Sequence, residues 1–148
     1  MHNYIIDGKS KSKLKHIGNK IILELQDKGN LSKYIIVQKY LYFTTKKEIV
    51  DEKILGYKFK KAILCETKKD IIYSNVKNII PIKKHAKSFA VKVERKGEHK
   101  FTSTELARDT AGAVFELFPK ICVDLKEPEL IIHIKVINNR SLLFPEHK

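Results

Sequence analysis

Arg95, Lys96, His99 and Lys100 crowd into six residues, with Thr102, Ser103 and Arg108 close behind, Lys92 just ahead and Arg140 further on. Side chains of these types donate hydrogen bonds and carry positive charge, and no nucleophile among them is paired with a base. The chemistry they offer is the grip of an anion, a phosphate first of all. Arg95, Arg108 and Arg140 are the only arginines of the chain. A planar guanidinium suits a phosphate better than the point charge of a lysine, so this half is expected to hold the specific grip. His99 has two readings open to it, a loop residue bonded to backbone or a direct donor to phosphate.

The elements that must position these groups can be read around them. Phe89, Val91 and Val93 alternate with Ala90, Lys92 and Glu94, the period of a half-buried strand running to Arg95. Thr102-Ser103-Thr104-Glu105 then forms a capping box, in which the Thr102 hydroxyl accepts the Glu105 N–H; Phe101 and Leu106 sit at the staple positions. A strand, a basic loop and a helix start follow one another, and the free N–H groups and dipole of such a start favour an anion.

Catalytic alternatives find little support. The six glycines (8, 18, 29, 56, 97 and 112) are never closer than ten residues, which excludes a P-loop, a dinucleotide fingerprint and a glycine-rich methyl-donor loop. The six histidines form no His-x-His or His-x-x-x-His pair, and Cys65 and Cys122 have no partners at metal spacing, so no metal and no cofactor are expected. Cys122 with His133 or His99 lacks an orienting third group, and both thiols read as buried and inert. Thirty Lys and Arg against 17 Asp and Glu give +13, a charge that attracts nucleic acid or an anionic surface. It divides as 17 basic against 8 acidic residues over 1–80 (+9) and 13 against 9 over 81–148 (+4), so the first half supplies the wider field. No run approaches the ~20 apolar residues of a membrane span, and Met1–Asp7 is too short and polar for a signal peptide; a cytoplasmic protein without a membrane partner is expected.

Ser88–Val91, Arg95, Gly97, His99, Phe101, Ser103, Glu105–Arg108, Val123-Asp124-Leu125 and Pro128-Glu129 together resemble the THUMP domain. The resemblance implies tRNA as the partner, bound near its acceptor end through Lys92, Arg95, Lys96, His99, Lys100, Thr102, Ser103, Arg108 and Arg140. It further implies a non-enzymatic module that presents tRNA to a separate catalytic subunit, most simply a methyltransferase. A stand-alone adaptor for a tRNA acetyltransferase and a general RNA-binding protein are the alternatives. From the residues themselves, Glu105 reads mainly as a cap, and Phe89, Phe101, Val123 and Leu125 as core.

The rest of the chain reads as follows. Tyr4-Ile5-Ile6 is a strand, and Leu14, Ile17, Ile21 and Leu25, with Ile22 and Leu23, form a helix stripe over Ser10–Lys28 stopped by Gly29. Leu31–Val37 and Lys39–Thr45 are strands, Lys47–Leu55 a short helix with Ile49, Val50 and Ile54 inward, and Tyr57–Thr67 a strand. Asp70 caps a helix that Pro81 ends, and Lys83–Lys87 is a linker. A helix over Glu105–Phe118, a strand over Ile121–Leu125, and a hairpin turning at Asn138-Asn139 complete the chain. The expected architecture is α+β: a ferredoxin-like βαββαβ domain over residues 1–68 and an α/β THUMP domain over 69–148.

Overall fold

The computed structural model describes residues 1–8, 11–80 and 85–148, in two compact units, Met1–Ala62 and Ile63–Lys148. The expected helix start at Ser10, the stop at Pro81 and the linker residues Lys83 and Lys84 lie outside the described residues.

In the first unit β1 (His2–Asp7) leads into α1 (Lys11–Asp27), then β2 (Ser32–Val37) and β3 (Tyr40–Thr45). The short strands β4 (Lys53–Ile54), β5 (Tyr57–Lys58) and β6 (Lys60–Lys61) follow. The sheet runs β2-β3-β1-β6, each neighbour antiparallel, so β3 lies between β1 and β2, which point the same way; β4 and β5 form a separate hairpin. Tyr4, Ile6, Leu14, Ile21, Leu25, Leu41, Phe43 and Ile54 make the core, while Leu23, expected to widen the helix stripe, is exposed. Gly29 ends α1 at φ +72°: its N–H reaches Gln26 O and the Asn30 N–H reaches Leu25 O, the paired bonds of a Schellman motif.

The expected helix over Lys47–Leu55 does not form. Asn30 donates from Nδ2 to Lys47 O (3.0 Å) and accepts the Lys47 N–H on Oδ1 (2.9 Å), and the Tyr4 hydroxyl accepts the Ile49 N–H (2.9 Å). Backbone groups that a helix would use are taken by distant side chains. The expected strand Tyr57–Thr67 also divides, because its pieces pair with β4, with β1 and, beyond Ala62, with a strand of the second unit. The units accordingly meet between residues 62 and 63, six residues before the expected boundary.

The second unit comprises β7 (Ile63–Glu66), α2 (Lys69–Ile79), β8 (Ser88–Lys96), α3 (Ser103–Leu117), β9 (Cys122–Val123), β10 (Leu130–Ile137) and β11 (Arg140–His147). Its sheet runs β7-β11-β10-β8-β9, with β10 and β9 parallel to β8 and β11 antiparallel to β10 and β7. Ile72 and Val76 of α2 and Leu106 and Val114 of α3 pack with Phe89, Ile132, Ile134 and Leu143 of the sheet. Gly112 lets the helices close up, since a Cβ there would stand 3.2 Å from the Tyr73 hydroxyl.

Three expectations change here. Asp70 lies inside the first turn of α2 and does not cap it; Lys68 holds the cap position in extended conformation and supplies no side-chain bond. Val123 and Leu125 are 53% and 77% exposed, because β9 is a two-residue edge strand and its chain turns outward at once. Asp124 makes that turn, its Oδ1 accepting the Lys126 and Glu127 N–H groups (3.0 and 3.1 Å), which hold its carboxyl below the usual range. Cys122 is exposed as well. Glu129 ties the entrances of β8 and β10 together, its Oε2 accepting the Lys87 N–H (2.7 Å) while its own N–H donates to Ser88 Oγ (3.1 Å).

Candidate nucleic-acid interface

The pairing directions fix where the basic groups collect. Both β7 and β10 are antiparallel to β11, and β8 is parallel to β10, so β7, β8 and β10 all finish at one end of the second unit's sheet. Their exits are Glu66-Thr67, Lys96-Gly97 and Ile137-Asn138. Both helices begin from the same end, α2 three residues after β7 and α3 seven after β8.

Hydrogen bonds clasp the three exits together. The Thr67 N–H donates to Asn139 O (2.9 Å), the Asn138 N–H to Lys96 O (2.9 Å), and the Thr67 and Ser141 hydroxyls lie 2.8 Å apart. Asn138 takes φ +54°, as the Asn-Asn turn requires. Gly97 sits at φ +105° against it, where any Cβ would collide with Asn138 Oδ1.

His99 is the centre of the loop that this arrangement holds. Its Nε2 is 2.7 Å from Asn138 O and its Nδ1 is 3.0 Å from Arg95 Nη1. A carbonyl must accept and a guanidinium must donate, so the imidazole is the Nε2–H tautomer with both nitrogens engaged. His99 thus bonds to backbone and shapes the loop, with the Arg95 guanidinium beside it. Arg95 Nε is shut off from solvent without a hydrogen-bond partner among the described residues. The His99 ring stacks on Phe101 (5.3 Å, 28°), and Thr102 Oγ1 accepts the Glu105 N–H (3.1 Å) as the α3 cap.

Between this loop and the start of α2 lies an open pocket of about 420 Å³, lined by Thr67, Lys68, Lys69, Asp70, His99, Lys100 and Phe101. Lys69 Nζ lies 5.8 Å over the Phe101 ring and 3.1 Å from Asp109, and Lys68 and Lys100 are exposed. The uncapped first turn of α2 faces the same ground with its backbone amides, an arrangement suited to an anion.

Of the nine expected residues, Arg95, Lys96, His99, Lys100, Thr102, Ser103 and Arg140 gather at this end. Lys92 is four residues before the end of β8 and exposed; Arg108 is exposed on α3, two residues past buried Leu106. Lys68 and Lys69 escaped the sequence reading. Their signal was a pair of adjacent lysines just ahead of the expected helix start at Asp70. Among the described residues no group of three or more side chains could hold a metal ion, and no helix is long and apolar enough to cross a membrane.

A mixed sheet with two helices and a basic loop before a capped helix defines a small module of α-helices and β-strands. The family model of the THUMP domain matches residues 66–145, and the chain belongs to that family. The tRNA sulfurtransferase of Aliivibrio fischeri (strain MJ11) is 38% identical over 63 residues, 42% of this chain and 13% of that protein. The chain thus spans about an eighth of that relative's length. Its fold matches a Pyrococcus horikoshii protein with TM-score 0.74 at 17% identity, covering 99% of this chain and 54% of the other. It also matches a 4-thiouridine synthetase solved in complex with RNA and bound ATP, with TM-score 0.72 at 16% identity over 99% of this chain and 41% of the other.

Proposed function

We propose that this chain binds tRNA in the cytoplasm at the basic end of its second unit, near the acceptor end, and presents it for modification to a catalytic domain on another chain. The observation that supports this most is the convergence of three strand exits and two helix starts on a pocket rimmed by Lys68, Lys69 and Lys100 beside Arg95. Backbone phosphates are the natural ligand, because A-form RNA hides its base edges and presents its phosphates and sugars. The name of the sulfurtransferase relative favours sulfur transfer as the partner's chemistry over the methyl or acetyl transfer first expected.

Fluorescence anisotropy with labelled tRNA at two salt concentrations tests the reading. Affinity should fall by about 0.7 to 0.9 decade per decade of salt for each phosphate neutralised. Lys68→Gln with Lys100→Gln should reduce that slope, and an acceptor-stem minihelix should compete far better than an anticodon arm. Salt-independent binding, or equal competition by the two arms, would overturn the proposal. Co-purification from native extract with a sulfur-, methyl- or acetyl-transferring enzyme would identify the partner's chemistry.

A further inference from the structure

A second charged feature lies in the first unit. The hairpin β4–β5 places Lys53 directly opposite Lys58, a like-charge pair that weakens an antiparallel ladder. Its turn is Leu55-Gly56 with φ +50° and +81°, where Asn-Gly or Asp-Gly would be at ease and a branched leucine is strained. Leu55 is 45% exposed at the tip, and Tyr57 beside it is 39% exposed. Ile54 and Phe59 anchor the hairpin in the core, Phe59 edge-on to Tyr4 (5.2 Å). Lys58 shares a face with Lys53, away from the anchors, while Tyr57 shares the other face with Ile54 and is reached at the tip. Residues 53–61 contain four lysines and no acid.

We infer that this hairpin is a second RNA contact, one that takes unpaired nucleotides: phosphates on the Lys53–Lys58 face and, where the strand rounds the tip, a base or ribose against Leu55 and the exposed part of Tyr57. The inference rests on the RNA-binding reading above and adds a separate site to it. A polyanion converts the repulsion between Lys53 and Lys58 into attraction. An aromatic ring at the end of such a cationic track is a platform for a single strand, whose bases are free to stack as it rounds the tip, whereas an uninterrupted duplex offers no base face.

The test uses the whole chain, with single-stranded oligouridine and a blunt RNA duplex as probes. Lys53→Gln with Lys58→Gln should weaken oligouridine binding about tenfold per lysine at roughly 0.05 M salt, from a loss of about 0.7 decade per decade of salt for each charge. The same variant should melt no lower than the wild type, since it removes a repulsion. Tyr57→Ala should cost about five- to a hundredfold on oligouridine and leave duplex binding unchanged, while Tyr57→Phe should bind as the wild type does. Unchanged oligouridine affinity in the hairpin variants, with loss on Lys68→Gln and Lys100→Gln, would overturn this inference and leave the proposed function standing. A wild-type chain that binds no RNA would overturn both. Hairpin-dependent binding to phosphatidylserine vesicles with RNA affinity unchanged would make the tip a membrane contact and overturn it too.

Discussion

Replacing Gly97 by alanine should disturb the basic loop more than any single loss of charge. At φ +105° an L-residue is strained, and the new methyl would overlap Asn138 Oδ1 and stand 3.3 Å from Asn138 Cα. Backbone strain of about 1 to 3 kcal/mol and overpacking of similar size are not fully additive, because a small shift relieves both, so a net loss of about 2 to 4 kcal/mol is expected. The shift would also stretch the 2.7 Å bond from His99 to Asn138 O, and tRNA affinity should fall with stability. A double-mutant cycle isolates the cause. Asn138→Gly suits φ +54° and removes the obstructing oxygen, so Gly97→Ala should cost about 1 to 2 kcal/mol less in that background. Urea titrations followed by circular dichroism measure the four proteins, the relevant transition being the one that Leu106→Ala also moves. A loss below about 0.5 kcal/mol, or an identical loss with and without Asn138→Gly, would refute the clasp between the β8 exit and the β10–β11 turn.

Three further outcomes are expected. Thr102→Ala should lower stability by about 0.5 to 2 kcal/mol through the lost cap, measured by thermal melts. The Lys77 ammonium, 3.0 Å away, and the Tyr73 hydroxyl hold the Glu116 carboxyl below its ordinary 4.5, so the link between α2 and α3 helps fully above that pH and fades as acid titrates the folded form. Glu116→Gln should therefore flatten the fall in Tm between about pH 5 and 3, the remaining slope including that of Asp124, which is lowered in the same sense. Maleimide at about pH 8 should label exposed Cys122 and spare Cys65, whose thiol burial pushes up to about 11, leaving about a hundredfold less thiolate than at an ordinary 9.0; equal labelling, read by mass spectrometry, would contradict that burial.

What the sequence revealed was whatever local chemistry decides. The Thr102 cap, the alternation through β8, the glycine stop of α1 and the Asn138 turn each rest on residues within a few positions of one another. What it concealed depends on distant partners. Ile49, Val50 and Ile54 have a helical spacing, yet Asn30 and Tyr4 claim the backbone there, and Val50 is left 87% exposed. Val123 and Leu125 looked like core because they are apolar; their exposure follows from β9 being an edge, which only the strand order reveals. The pocket was hidden for the same reason: Lys68 and Lys100 are 32 positions apart and come together only because β7 and β8 leave the sheet at the same end.

The pairing of β7 with β11 carries a consequence for the order of folding. Ile63 meets Leu143 and Glu66 meets Arg140, so the earliest strand of the second unit has its sheet partner near the far end of the chain. Closing so long a loop is a slow, late event compared with forming helices or the β10–β11 hairpin. During synthesis, Thr67 cannot reach Asn139 and Ser141 until those residues have left the ribosome. The three exits are then joined last, and a nascent chain gains its binding end only when its final hairpin has emerged. Shortening β11 from Leu142 onward should thus abolish the binding that depends on Lys68 and Lys100 even though every basic residue of the pocket remains present.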